Sequence, residues 1–376
     1  MNHQQKQLFI DRFLQNHHDV GDMDTSDLVR AVTVRFATAF PHMELVERRR
    51  AVREIIHTMR GLDILQPLAE DDSITEIMVN GPEDIYLERN GRLVKSDVRF
   101  DDRRHLTHVI TRYFGRANRL INEQKPIAGM RLADGSRIHA ILPPAAPDGP
   151  IVNIRRFTGV KPSLDELVRL GSLDRPTADF LIAQVKARKN MFISGGTGSG
   201  KTTLLNALSE HIDPAERIVT IEDALELDLQ GIDNLVRLET RKAGPDGSGA
   251  IDAADLIRSS LRLRPDRIIV GEIRGAEAFD MIQAMSTGHP GSMSTGHGNN
   301  SFEMLDRISL MILMSSNLPW EAIRRLVANA LDYVVHLERR ADGSRHVAEV
   351  MKVSGYSAAG YRLEPFRSED AEVLHD

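Results

Sequence analysis

Hydrophobic positions change their period twice along the 376 residues of the chain. Over residues 1–60 they recur every three or four residues, at Phe9, Ile10, Phe13 and Leu14 and again at Leu45, Val52, Ile55, Ile56 and Met59. That is the period of helices that bury one face. Pro41 and the polar stretch from Gly21 to Ser26 interrupt it, so the spacing predicts short, charged helices forming a helical N-terminal extension. From Gly61 the runs shorten. "EIMVNG", "DIYLERNGRLV" and "GSRIHAILPP" are β-rich or alternating and close on Asn-Gly, Asp-Gly or Pro. The Asn90-Gly91 pair predicts a hairpin, and "RRHLTHVITRYFGRAN" reads as a helix. Together these predict an α+β domain over 61–156. A polar connector, 157–175, follows, holding a short helix that Ser163 is placed to cap.

Over 176–353 strands and helices alternate. "NMFISG", "RIVTIED", "NLVRLET", "RIIVGEI", "GSMSTGH" and "YVVHLER" are the strand candidates, with helical spacing between several of them. Such alternation predicts a mainly parallel sheet with helices on its faces, an α/β domain. Residues 354–376 are polar and are expected to form a loosely held tail.

Composition narrows this only a little. A hydrophobic share of 41% is ordinary for chains with real cores. The net charge of -6 gives no general attraction to nucleic acid, and Arg48-Arg49-Arg50 reads first as a solvated helix face. The absence of cysteine removes disulfides and thiolate zinc sites. No apolar window reaches the roughly 18 residues of a membrane span, and the N-terminus has no signal-peptide core. Membrane association is expected only through partners.

Candidate chemistry centres on "GGTGSGKTT", which is Gly195, Gly196, Thr197, Gly198, Ser199, Gly200, Lys201, Thr202 and Thr203. It satisfies G-x-x-x-x-G-K-[ST] between the apolar run "MFIS" and the helical "LLNALSEHI", the strand–loop–helix context that a phosphate loop needs. Its glycines let backbone N–H groups converge on phosphate oxygens at a helix N-terminus. Lys201 is placed for the β- and γ-phosphates and Thr202 for Mg²⁺. Glu272 follows the buried-strand run "RIIV" and is the candidate to orient an attacking water; an ion pair with Arg274 is the plainer alternative. "TIEDALEL" crowds Glu222, Asp223 and Glu226, which repel unless cations attend them. Glu222 is the candidate to support the metal, directly or through water; an acid-rich helix start is the alternative. His289 and His297 occur in a repeated Ser-Thr-Gly-His, eight residues apart, in a small-residue run that lacks a third metal ligand.

The order of GGTGSGKTT, TIEDALEL, RLETR, LRLRPDRIIVGEIRG and STGHPGSMSTGHGNN resembles the ATPases of type II and type IV secretion machines, over roughly 60–350. "ITEIMVNGPEDIYLERNGRL", "RLADGSRIHAILPP" and "IVNIRRF" look like the CpaF-type branch that assembles tight-adherence (Flp) pili. The resemblance implies a RecA-like P-loop NTPase domain after a PAS-like α+β domain, a Mg²⁺-dependent ATPase, a homo-hexameric ring, and cytoplasmic work against an inner-membrane platform protein. It assigns His297 and His289 to a box near the γ-phosphate. It makes Arg137, Arg155 and Arg241 candidates for neutralising developing charge. Gly296 and Gly298 flank His297 where the family commonly has a larger apolar residue and an alanine, which predicts a looser loop here. A type IV secretion traffic ATPase is the near alternative. A nucleic-acid motor is disfavoured by the charge and by the lack of an aromatic-basic tract, and a non-enzymatic scaffold by the full set of acids.

Overall fold

The structure is a computed structural model and describes residues 3–17, 20, 23–89, 91–132, 134–156, 161–241, 243 and 248–366. It divides into two compact units, Met1–Thr158 and Gly159–Asp376.

The first unit opens with α1 (His3–Asn16), α2 (Thr25–Ala39) and α3 (Leu45–Arg60). Their apolar stripes meet in a core of Phe9, Phe13, Leu28, Phe36 and Ile55. Asp24 caps α2 by accepting the Asp27 N–H. A 3-10 turn at Asp63–Leu65 and the short α4 (Gln66–Ala69) lead into a six-stranded antiparallel sheet. Its strands are β1 (Ile74–Asn80), β2 (Ile85–Arg89), β3 (Arg92–Lys95), β4 (Ile127–Arg131), β5 (Arg137–Ile141) and β6 (Ile151–Arg155), in the order β3-β2-β1-β6-β5-β4. Because side chains alternate along a strand, Ile77, Ile138, Val152 and Ile154 all enter one face, where they join Val109, Ile110 and Phe114 of α5 (Arg103–Arg116) in the core. The β2–β3 hairpin turns through Gly91 at φ 75°; Asn90 lies outside the described residues.

The second unit holds α6 (Leu164–Arg169), α7 (Arg175–Lys186), β7 (Met191–Gly195), α8 (Lys201–Ser209), β8 (Arg217–Glu222), β9 (Asn234–Glu239), α9 (Ala253–Ser260), β10 (Arg267–Val270), α10 (Glu277–Ser286), β11 (Met293–Gly296), α11 (Ser301–Ser315), α12 (Trp320–Ala330), β12 (Tyr333–Arg339), β13 (Arg345–Ser357) and β14 (Gly360–Pro365). The sheet order is β14-β13-β12-β7-β11-β10-β8-β9. The six strands from β12 to β9 run parallel, and β13 and β14 are antiparallel at one edge. Alternation splits the parallel strands between two cores. Phe192, Val219, Ile221, Ile268 and Val270 pack toward α10, α11 and α12, while Met191, Ile193, Ile218, Ile269 and Met293 pack toward α7 and α8. Nearly continuous apolar runs are what a sheet covered on both faces requires.

Two expectations change. The helix within the polar connector belongs to this unit: Ser163 and Glu166 form a reciprocal capping box, and Leu164 and Leu167 enter the core. The tail expected from residue 354 is a hairpin as far as Pro365. Val353 and Tyr361 are buried in it, and Tyr361 pairs with Ser309 of α11 at 2.5 Å. Polar residues on its open face hid the alternation that builds this edge. Residues 367–376 lie outside the described residues.

Candidate functional site

In a parallel sheet the loops at the carboxyl ends of the strands share one edge, and ligands of such sheets bind there. Here that edge gathers the loop after β7, the acids after β8 and β10, and the histidine loop after β11. Gly195 ends β7, and Gly200, at φ 96°, is the N-cap of α8. Gly195, Gly198 and Gly200 all have positive φ, so the loop needs residues without a Cβ. Ser199 is buried inside it, Gly196 and Thr197 are exposed, and Thr202 and Thr203 begin the helix half-buried. Lys201, buried, donates to the carbonyls of Gly195 (2.9 Å) and Gly196 (2.8 Å) and lies 3.5 Å from His297 Nδ1.

Glu272 stands beside it. Its Oε1 is 2.9 Å from His297 Nε2, and its Oε2 accepts from Arg274 Nη2 at 2.6 Å. Arg274 continues to Asp223 at 3.2 Å. Burial raises the Glu272 carboxyl, but the Arg274 hydrogen bond and the charges of Arg274, His297 and Lys201 together bring it below its usual value. Burial and the Lys201 charge push the His297 imidazole down, against the pull of Glu272. At neutral pH the pair is therefore a carboxylate beside a neutral imidazole.

Glu222, at the end of β8, is 4% exposed, so nearly all of its solvation comes from protein. Its Oε1 accepts the N–H groups of Glu226 and Leu227, each at 2.9 Å, and its Oε2 is buried without a hydrogen-bond partner. Burial pushes its carboxyl up. It lies against Gly271, where a Cβ would come within 3.0 Å of its Cγ, so the residue before Glu272 must be small for the two acids to adjoin. Lys161, half-buried, has its ammonium pushed down by burial, with Glu222, Asp228 and Glu226 opposing that push.

The loop around His297 is packed rather than loose. A Cβ on Gly296 would meet the Phe192 ring at 2.9 Å and Met304 Cε at 3.0 Å, and one on Gly298 would meet Met304 at 3.2 Å. The glycines let α11 and β7 close on the loop.

His289 requires a correction. It precedes β11, beside Asn190 and Gly291, at the amino edge of the sheet. His297 follows the same strand at the carboxyl edge, and the strand's length, roughly 13 Å at about 3.3 Å per residue, separates the two edges. The edge of His289 is held by a buried ion pair, Arg267 with Glu216 at 2.7 Å, not by groups suited to phosphate. Arg241 sits at the outer edge beyond β9, bridged to Ile251, its Nε donating to the Gly249 carbonyl at 2.5 Å. In the first unit Arg137 and Arg155 are directly opposed, and Arg131 opposes Arg137 in turn, so three arginines share one level on one face of the sheet. Glu76 of β1 opposes Arg155 in the same row, so the level carries an acid beside the three arginines.

Sequence reasoning missed Lys161 and Arg131 and took Arg274 only as an alternative partner. The "GEIRG" run carries the last of these openly; the first two depend on strand register and chain tracing that spacing does not reveal.

Comparison with known proteins follows this geometry. The profile of the family described as "Type II/IV secretion system protein" matches residues 58–361. A Mycobacterium tuberculosis protein named for conjugal transfer is 34% identical over 330 residues, covering 85% of this chain and 93% of the relative. Type IV secretion system protein PtlH of Bordetella pertussis is 36% identical over 326 residues, covering 79% and 95%. Among solved structures, the ATPase DotB of Legionella pneumophila aligns with a TM-score of 0.54 at 20% identity over 82% of each chain.

Proposed function

This chain belongs to the type II/IV secretion system family, and from that premise we propose that it is an ATPase whose hydrolysis of ATP powers pilus assembly of the tight-adherence type or a related protein export. The observation that carries the proposal is the convergence of Lys201, Glu272, His297 and Glu222 at one edge of the parallel sheet.

The chemistry follows from charge and position. The N–H groups of the loop Gly195–Thr203 and the first turn of α8 bind the phosphates. Lys201 exchanges the Gly195 and Gly196 carbonyls for phosphate oxygens. Glu272, ionised, orients a water and takes its proton as the oxygen attacks the γ-phosphorus and the bond to the β-phosphate oxygen breaks. His297, neutral, gives its one N–H, on Nε2, to Glu272 and so holds that carboxylate. The donor set suits Mg²⁺: the Thr202 hydroxyl, and the buried, unpartnered Oε2 of Glu222, acting directly or through water, are hard oxygen donors. Bound there, the metal would neutralise phosphate charge.

Arg137 and Arg155 are the proposed arginines from the first unit, with Arg131 beside them; Arg241, tied to Gly249, is the weakest of the original three. The proposed assembly is a cytoplasmic homo-hexamer held at the inner membrane by a platform protein. Among the described residues no helix is long and apolar enough to cross a membrane. A type IV secretion traffic ATPase is the second reading, favoured by the likeness to PtlH.

Lys201→Ala tests the site. Mg·ATP binding and phosphate release are expected to fall to background while the unfolding temperature stays near wild type. Retained turnover would remove the phosphate-loop assignment.

A further inference from the structure

The outer side of the phosphate loop rests on the β12–β13 hairpin, on the flank of β7 opposite β11 and Glu272. Gly195 makes room for it, and Gly198 and Gly200 face it at ordinary contact distance. A Cβ on Gly195 would lie 2.4 Å from the Leu337 carbonyl oxygen, and one on Gly200 would lie 3.4 Å from Arg345 Cδ and 3.8 Å from Leu337 Cδ2. One on Gly198 would lie 4.0 Å from Arg339 Nη1. The contact is polar as well as steric: Arg345 Nε donates to the Gly198 carbonyl at 2.9 Å, from 147 residues further along the chain.

A loop that turns its N–H groups inward onto an anion turns carbonyls outward. Here the carbonyls of Gly195 and Gly196 are held by Lys201 and that of Gly198 by Arg345. The two cations differ in what nucleotide asks of them. Lys201 must leave its carbonyls to reach phosphate. Arg345 approaches from the flank of β12 and β13, where phosphate does not compete for it. Resting on the phosphate-loop reading above, we infer that Arg345 is a positioning residue for nucleotide binding: its guanidinium pins the Gly198 peptide, so the loop's N–H groups stay aimed at the phosphates while Lys201 changes partners. Arg345 does not touch the reacting atoms in this role, so it acts on affinity and leaves the chemical step alone.

The test uses the full chain, titrated with Mg·ADP and assayed for steady-state Mg·ATP turnover. Arg345→Gln is expected to raise the Kd for Mg·ADP and the KM for Mg·ATP about tenfold, the scale of a hydrogen bond to a charged group. The kcat should stay within about twofold, and Arg345→Lys should recover part of the affinity. Arg340→Gln removes the same charge from the same hairpin and should bind like wild type. If Arg345→Gln does not fold, Arg345→Met keeps the stem packed against Gly200 and carries the same expectation. Wild-type Kd in the Gln or Met variant overturns the inference, as does an equal loss in Arg340→Gln, which would mean a diffuse positive field. A wild-type chain that takes up no nucleotide would remove the site itself, a result distinct from these.

Discussion

At neutral pH His297 is useful beside Glu272 only as a neutral imidazole. Burial and Lys201 set it so, holding it below its usual 6.5. As pH falls through its lowered pKa an imidazolium forms 2.9 Å from the Glu272 carboxylate and ties up its basicity. Glu272, itself held below its usual 4.5, stays ionised through this range. We expect kcat to be flat at neutral pH and above and to decline only on the acid side of the usual imidazole value of 6.5. His297→Asn should be slower but should lose that acid limb. An unchanged limb in the variant would assign it to another group. The strand that ends just before His297 was legible from local spacing. His289 was misread because a repeated tetrapeptide says nothing of direction: one copy enters β11 and the other leaves it. Arg345 left no local signal at all, since its partner is 147 residues away.

Elements with strong periodicity were legible as elements. The apolar runs of β7, β8, β10 and β12 and the helix at Arg103–Arg116 carry their pattern on both sides of each turn. The β13–β14 hairpin was not, because its open face is polar and its burial depends on α11 and α12. How the helical extension joins its neighbour also escaped the sequence. Asp63, buried in the turn after α3, meets Thr58 at 2.7 Å, His105 of α5 at 2.9 Å and Lys6 of α1 at 3.6 Å. Burial would raise its carboxyl, but His105, Lys6 and Thr58 outweigh it and bring it down to about 2. A depressed carboxylate contributes stability that is present above its ordinary 3.8 and is lost as pH falls toward 2. That contribution is about 2 kcal/mol. Asp63→Asn should therefore unfold earlier than wild type at pH 7, and the gap should close in titrations approaching pH 2. A gap independent of pH would mean that shape, not charge, holds the turn.

For the molecule as a whole, the order of motifs was enough to identify the class of machine, because a phosphate loop, two acids and a histidine loop must follow successive parallel strands to share one edge. The aligned Arg131, Arg137 and Arg155 exist only as a consequence of the antiparallel register of β4, β5 and β6. If they complete the site as proposed, Arg137→Ala and Arg155→Ala should each lower kcat while leaving Mg·ADP affinity near wild type. Equal kcat in both variants would leave the first unit without a part in the chemistry.

The central claim, that Glu272 prepares the water in a pocket already able to hold nucleotide, is tested most directly by single-turnover cleavage of Mg·ATP in wild type and Glu272→Gln. The account predicts wild-type nucleotide binding in the variant with cleavage slowed about 100-fold or more. Cleavage at the wild-type rate would contradict it.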